Sequence, residues 1–232
     1  MNNEFFNEVE TALAVERLDA FRLDGASPLI ALARYLWNMA LCESLYSPLQ
    51  MAEVVLRNRI HACLTEQFSA EDWYTTSGLL LPWQEALVDE AMKKFSADGK
   101  SAPPGQIVAE LHFGFWTGFF NKAHESKGIA HSLAKPVFQY APKYERATDK
   151  LGPRWNKIRN LRNRVFHHER ILHWNDLSEQ HKTMVETIGW ISPELKEMAG
   201  VLDRFTMIHS AGIDPWKEKI QQHWPEKNGG LK

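Results

Sequence analysis

Apolar residues recur along most of this chain at intervals of three and four, the period of a helix with one buried face. Leu29, Leu32, Leu36 and Met39 form one such stripe. Ser27-Pro28 reads as an N-cap followed by proline at the first helical position, so a helix is predicted from Pro28 to about Leu45. Ser47-Pro48-Leu49-Gln50 repeats that start signal and adds a capping-box glutamine, which predicts a second helix reaching about Phe68. Pro82 opens a third, ending near Asp98-Gly99. A further helix is predicted from about Pro153 to Leu172. Asp176-Leu177-Ser178-Glu179 and Ser192-Pro193 each open another. The stretch from Lys127 to Pro142 is proline-marked and less regular. There is no strand-like alternation and no solenoid period, so the pattern predicts an all-α fold. "SAPPG" (Ser101 to Gly105) is the clearest break. The helical core on neither side of it reads as self-sufficient, so residues 1–232 are expected to form a single all-helical domain. Residues 221–232, ending in "EKNGGLK", are expected to be a frayed, flexible tail.

Composition narrows the class without naming a function. A chain of 232 residues can bury a real core, and 44% hydrophobic with 24% charged residues is ordinary for a globular protein. A net charge of -2 excludes a molecule coated in positive charge but permits a local basic site. Cys42 and Cys63 fit no C-x-x-C pattern, so buried thiols are expected rather than a disulfide framework or metal site. The acidic start "MNNEFFNEVE" lacks the pattern of a secretion signal. The most apolar run, Leu111 to Phe120, is about half the ~18 residues of a membrane span. A cytoplasmic protein with no membrane partner is expected. The nine tryptophans and the FGFWTGFF run are expected in the core rather than stacked on bases, and Gly114 and Gly118 could form a small-residue face for a neighbouring helix.

The chemistry concentrates in a repeat. Leu56-Arg57-Asn58-Arg59 and Leu161-Arg162-Asn163-Arg164 are identical, and a histidine follows each at a different spacing: His61 four residues after Arg57, His167 five after Arg162. On a helical wheel with Arg162 at zero, Arg159, Arg170, Asn163 and His167 fall between about 60° and 140°, while Leu161, Leu172, Val165 and Ile158 occupy the opposite arc. From Arg154 to Arg170 there are six cations (Arg154, Lys157, Arg159, Arg162, Arg164, Arg170) against one acid, Glu169. Two explanations stand open: a face that meets phosphate, or a solvated basic face paired with acids elsewhere. Arginine, asparagine and histidine suit RNA cleavage, because the ribose 2′-hydroxyl supplies the nucleophile. Histidine can take or give a proton near neutral pH, and arginine can hold the phosphate bidentately. Asn163 can hydrogen-bond to orient His167 from one turn earlier. One histidine performs only one proton transfer at a time, so two facing copies of the site would be useful.

The run "LRNRVFHHERI" resembles the R-N-x-x-x-H motif of HEPN-domain ribonucleases, and its H-H-E-R-I continuation is similar to the abortive-infection (Abi-like, AbiD/AbiF-type) bacterial family. "YLWNMALCESLYSPLQMAEVVLRNRIHACL" (Tyr35 to Leu64) and "ELHFGFWTGFF" (Glu110 to Phe120) resemble segments of that family in the same order. The likeness covers roughly Tyr35 to Ile171. It implies a HEPN-type helical bundle with extra helices, acting as an endoribonuclease without metal or other cofactor. Arg162 and His167 would be catalytic and Asn163 would support them. The likeness further implies a homodimer with a composite cleft, products with a 2′,3′-cyclic phosphate and a 5′-hydroxyl, a role in phage defence or as a toxin, and an antitoxin or regulatory RNA as possible partner. HEPN toxins controlled by adenylylation commonly carry tyrosine two residues after the motif histidine. Here that residue is Glu169, so the likeness does not extend to control by a nucleotidyltransferase.

The first copy reads differently. Glu53, Arg57 and His61 stack at i, i+4 and i+8 beside an apolar arc of Leu49, Leu56, Ile60 and Leu64. Glu53 is thus expected to partner Arg57. Glu53, Arg57 and Asn58 are read as supporting residues that fix the motif helix or line the cleft rim. Arg159, Arg170 and His168 are the further candidates for contacting RNA. A zinc hydrolase is disfavoured because His173 stands five residues from His168, whereas H-E-x-x-H needs four. The rival reading is a HEPN module without activity that binds RNA or a protein partner.

Overall fold

The computed structural model describes residues 3–96 and 102–223. The expected helix end at Asp98-Gly99, the start of the SAPPG break and the tail beyond His223 lie outside the described residues. Thirteen α-helices and no strand occur among them. In chain order they are α1 (Asn3–Leu13), α2 (Val15–Asp19), α3 (Pro28–Phe68), α4 (Pro82–Ser96), α5 (Pro104–Glu110), α6 (Phe113–Gly118), α7 (Lys122–Glu125), α8 (Ile129–Val137), α9 (Thr148–Phe166), α10 (Leu177–Ile191), α11 (Pro193–Leu202), α12 (Phe205–Ala211) and α13 (Asp214–His223). The fold is all-α, as the periodicity predicts. No helix among the described residues is long and apolar enough to cross a membrane.

Two of the predicted helices are one. α3 runs 41 residues with Pro48 inside it. Proline there removes the N–H that would donate to the Ser44 carbonyl, a defect worth about 3 kcal/mol in a helix interior. The helix persists because Leu41 and Leu45 before the proline, and Leu49 and Ala52 after it, are fully buried. Burial of that size outweighs one missing hydrogen bond. The Ser44 hydroxyl turns inward to the Leu41 carbonyl at 2.8 Å rather than ending the helix. The Lys127 to Pro142 stretch, expected to be irregular, also contains a helix, α8, whose Pro136 is accommodated in the last turn.

The chain divides into two compact units. The first comprises residues up to Ser47, Arg164–His181 and the chain from Asp203. Its apolar centre includes Phe6, Leu18, Leu29, Leu32, Ala33 and Ile220. Trp37 Nε1 donates to the Ile208 carbonyl at 3.0 Å, tying α3 to α12. The second unit comprises Pro48–Asn163 and Lys182–Leu202. Its core is aromatic: Trp73, Phe113, Phe115, Trp116, Phe119, Phe120 and Trp155 are all buried, mostly in edge-to-face pairs. The FGFWTGFF run is core, as expected. Its glycines do something more local than forming a small-residue stripe for one helix. A Cβ on Gly118 would meet the Trp83 ring at 2.9 Å, and one on Gly114 would meet the His112 ring at 2.9 Å. The close backbone approach occurs at Gly152 in α9, where a Cβ would overlap the Phe120 carbonyl.

Candidate functional site

α9 stops sooner than the sequence predicts. Its last helical residue is Phe166, not Leu172. The Glu169 N–H donates to the Arg164 carbonyl at 2.9 Å and the His168 N–H to the Val165 carbonyl at 3.1 Å. These are the paired bonds of a Schellman motif, with His167 at the C-cap and His168 in the left-handed position at φ 57. Where such motifs usually carry an apolar contact, this one carries an ion pair between Arg164 and Glu169. The backbone beyond is held by side chains from elsewhere in the first unit. Asn38, 3% exposed, donates to the Glu169 carbonyl at 3.2 Å and accepts from the N–H groups of Ile171 and Leu172 at 2.8 and 3.3 Å. Arg17 donates to the His168 carbonyl at 2.7 Å. These bonds occupy backbone groups that a longer helix would need. The predicted helical face therefore ends before Arg170, which donates instead to the Ala20 carbonyl. His167 and His168 are both exposed on the turn.

In the second unit the structure corrects a pairing. Glu53 Oε2 accepts from Arg162 Nε at 3.1 Å, with side chains 21% and 26% exposed. Arg57 turns to its neighbour, donating to Asn58 Oδ1 at 3.1 Å, and His61 Nδ1 accepts from Trp73 Nε1 at 2.9 Å. The expected stack of Glu53, Arg57 and His61 does not form. Glu53 is half-buried where α3 faces α9, and the partner available there is Arg162. An exposed i, i+4 pair contributes only tenths of a kcal/mol and does not compete. The cationic face is also less open than the wheel suggests. Arg154 pairs with Glu186 at 3.0 Å and lies over the Trp190 ring, Arg162 has Glu53, and Arg164 has Glu169. Asn163 and Asn58 are exposed. Arg159 donates to the Thr117 hydroxyl at 3.3 Å.

One residue of this cluster escaped the sequence reading. His112, immediately before α6, is exposed and lies beside Gly114, where a Cβ would sit 3.8 Å from Arg159 Nη1. Desolvation pushes its pKa down. Glu53 opposes that, and the charges of Arg162 and Arg159 reinforce it. The imidazole is therefore favoured in its neutral, proton-accepting form. It also borders a cleft of about 670 Å³ lined by Lys93, Lys94 and Glu110. No pattern at this position flags it, because a single histidine in an aromatic run has no spacing signature. Glu53, Arg159, Arg162 and His112 are thus brought together, while Arg57 and Asn58 stay with each other.

This arrangement can hold a guanidinium in fixed orientation for an anion, with a neutral imidazole nearby. No group of three or more His, Cys, Asp or Glu side chains suited to a metal ion occurs among the described residues. No protein-family model, curated protein or solved structure matches the chain.

Proposed function

We propose that this protein is a metal-independent endoribonuclease of the HEPN type, with Arg162 and His167 catalytic and Asn163 supporting. The observation that carries the reading is the Glu53–Arg162 ion pair at 3.1 Å. It fixes the guanidinium of the motif arginine at the end of α9, five residues before an exposed histidine on the helix cap. A carboxylate that orients an arginine fork prepares it to meet a phosphate.

In the proposed reaction a histidine takes the proton of the ribose 2′-hydroxyl, and the oxygen attacks the adjacent phosphorus. Arg162 stabilises the added negative charge on the phosphoryl oxygens. The bond to the 5′-oxygen breaks, and that oxygen receives a proton from an acid. The products are a 2′,3′-cyclic phosphate and a 5′-hydroxyl. Two proton transfers per cycle need two groups, which motivates a homodimer with a composite cleft. A cytoplasmic setting in phage defence or as a toxin, restrained by an antitoxin or regulatory RNA, belongs to the same reading.

The second reading, an RNA- or protein-binding HEPN module without activity, draws on the acid partners of Arg154 and Arg164, which offset the charge of the helix that a phosphate site would use. Incubating the purified protein with structured and unstructured RNA in EDTA decides between them. Cleavage that disappears in His167→Ala is expected. Binding with no cleavage of any RNA supports the module instead. Cleavage that needs added metal overturns the mechanism.

A further inference from the structure

The first unit contains a pocket of about 470 Å³ whose lining includes Arg17, Tyr35, Tyr46, Phe166, His168 and Arg204. Its wall is formed partly by the Schellman turn, so it adjoins His167 in the chain. Tyr46 is half exposed, and its ring stacks on Phe166 with centroids 5.2 Å apart and planes at 22°. An exposed tyrosine backed by a second ring is a rigid, flat, apolar platform. Its open face is available for a planar group to stack on.

The lining is largely apolar, with Met39, Cys42 and Val165 beside the rings, and carries charge at its arginines. Arg17 is exposed and is anchored by its bond to the His168 carbonyl and by its position over the Tyr35 ring at 5.7 Å. Arg204 is exposed and pairs with Glu43 at 2.8 Å. Glu43 offsets part of the Arg204 charge, so the two guanidinium groups and the carboxylate leave a net positive charge at the platform together with an acceptor. A flat ring, hydrogen-bonding groups of both kinds and cationic charge are the elements that receive an unpaired nucleotide. The base stacks, its edge bonds, and its phosphate meets arginine.

We infer that this pocket binds one unpaired nucleotide of a single-stranded RNA, with its base stacked on Tyr46 and its phosphate neutralised by Arg17 and Arg204. The inference rests on the ribonuclease reading for the identity of its ligand. It adds a reason for that enzyme to prefer unpaired over duplex RNA, because a base within a helix is not free to stack on a side chain.

The test uses the full chain carrying His167→Ala, so that RNA survives, and short single-stranded oligoribonucleotides containing 2-aminopurine. Quenching of the 2-aminopurine on binding is expected, since stacking quenches it. Adding Tyr46→Ala should weaken binding about tenfold or more and abolish the quenching. Tyr46→Phe should keep both, and unchanged thermal melting of the two variants excludes a folding defect. Arg204→Gln should weaken binding and flatten its salt dependence. Equal binding and quenching with and without Tyr46→Ala overturn the inference. Cleavage by the chain carrying native His167 that is unaffected by Tyr46→Ala also overturns it, while leaving the ribonuclease reading intact. Tyr46-dependent quenching in a protein that cleaves no RNA would overturn the enzyme and retain the pocket.

Discussion

Arg162 and Glu53 are separated by more than a hundred residues of sequence, yet they form the ion pair on which the proposed chemistry depends. The two side chains are about a quarter exposed, so solvent screens their attraction and the pair contributes about 1 kcal/mol or less to folding. In the proposed reaction its orienting role would outweigh this contribution to stability. An arginine that swings freely loses the preorganisation that makes phosphate recognition effective, and misplacement of a reacting group by about 1 Å costs on the order of a hundredfold in rate. Glu53→Gln is therefore expected to lower RNA cleavage at least tenfold while moving the urea unfolding midpoint only slightly. Rates and unfolding curves on the same preparation check this. A large stability loss with a proportionate activity loss would make Glu53 a structural residue. The neighbouring His112 adds a side chain whose neutral form is favoured by desolvation and by the charges of Arg162 and Arg159, with Glu53 opposing.

At the scale of the element, the end of α9 decides where the motif histidine stands. A helix continuing to Leu172 would place His167 and Arg170 on the face shared with Arg162. The Schellman turn stops it at Phe166 and exposes His167 on the cap. That stop has a local cost, because His168 adopts φ 57, a conformation glycine takes freely. His168→Gly should relieve about 1 kcal/mol of backbone strain, less roughly 0.5 kcal/mol for the extra freedom of glycine in the unfolded chain. A small net stabilisation is expected. His168→Val should destabilise by more than 1 kcal/mol, since a β-branched residue resists a left-handed backbone. Chemical denaturation of the pair measures both, and equal stability of the two variants would show that the turn is not strained. The amphipathic stripes were readable along the sequence, because a period of three and four depends only on neighbours. The helix ends were not. The α9 stop depends on Asn38, which is 131 residues from the Glu169 carbonyl it binds. The uninterrupted α3 depends on core contacts that outweigh Pro48. Likewise the partner of Glu53 is set by which helix faces it, and no spacing rule along α3 contains that.

For the molecule as a whole, the buried histidines predict how stability responds to acid. His124 in the second unit is fully buried, with Nε2 bonded to the Gln84 side-chain oxygen. Burial, reinforced by Lys127, pushes its pKa down to about 4. Its Nδ1 has no hydrogen-bond partner among the described residues, so protonation would create a charged N–H with nowhere to donate. In the unfolded chain the same group titrates near 6.5. The folded value is the lower one, so the unfolded state binds the extra proton first. Stability from this residue is complete above about pH 6.5, declines as the pH falls, and is fully lost below about 4. Over that window the loss reaches about 3 kcal/mol, at a slope near 1.4 kcal/mol per pH unit. His181 in the first unit is also buried and shifted down by desolvation, but Asp203 at 3.2 Å opposes the shift. Its contribution has the same sign and a smaller size. The urea midpoint should therefore hold steady from pH 8 to 7 and fall between 6.5 and 4.5, before most carboxylates titrate. His124→Gln lowers stability at pH 7 yet should reduce the steepness of that fall, because the variant has no buried group left to protonate at that position. An unchanged slope in His124→Gln would assign the acid sensitivity to other groups.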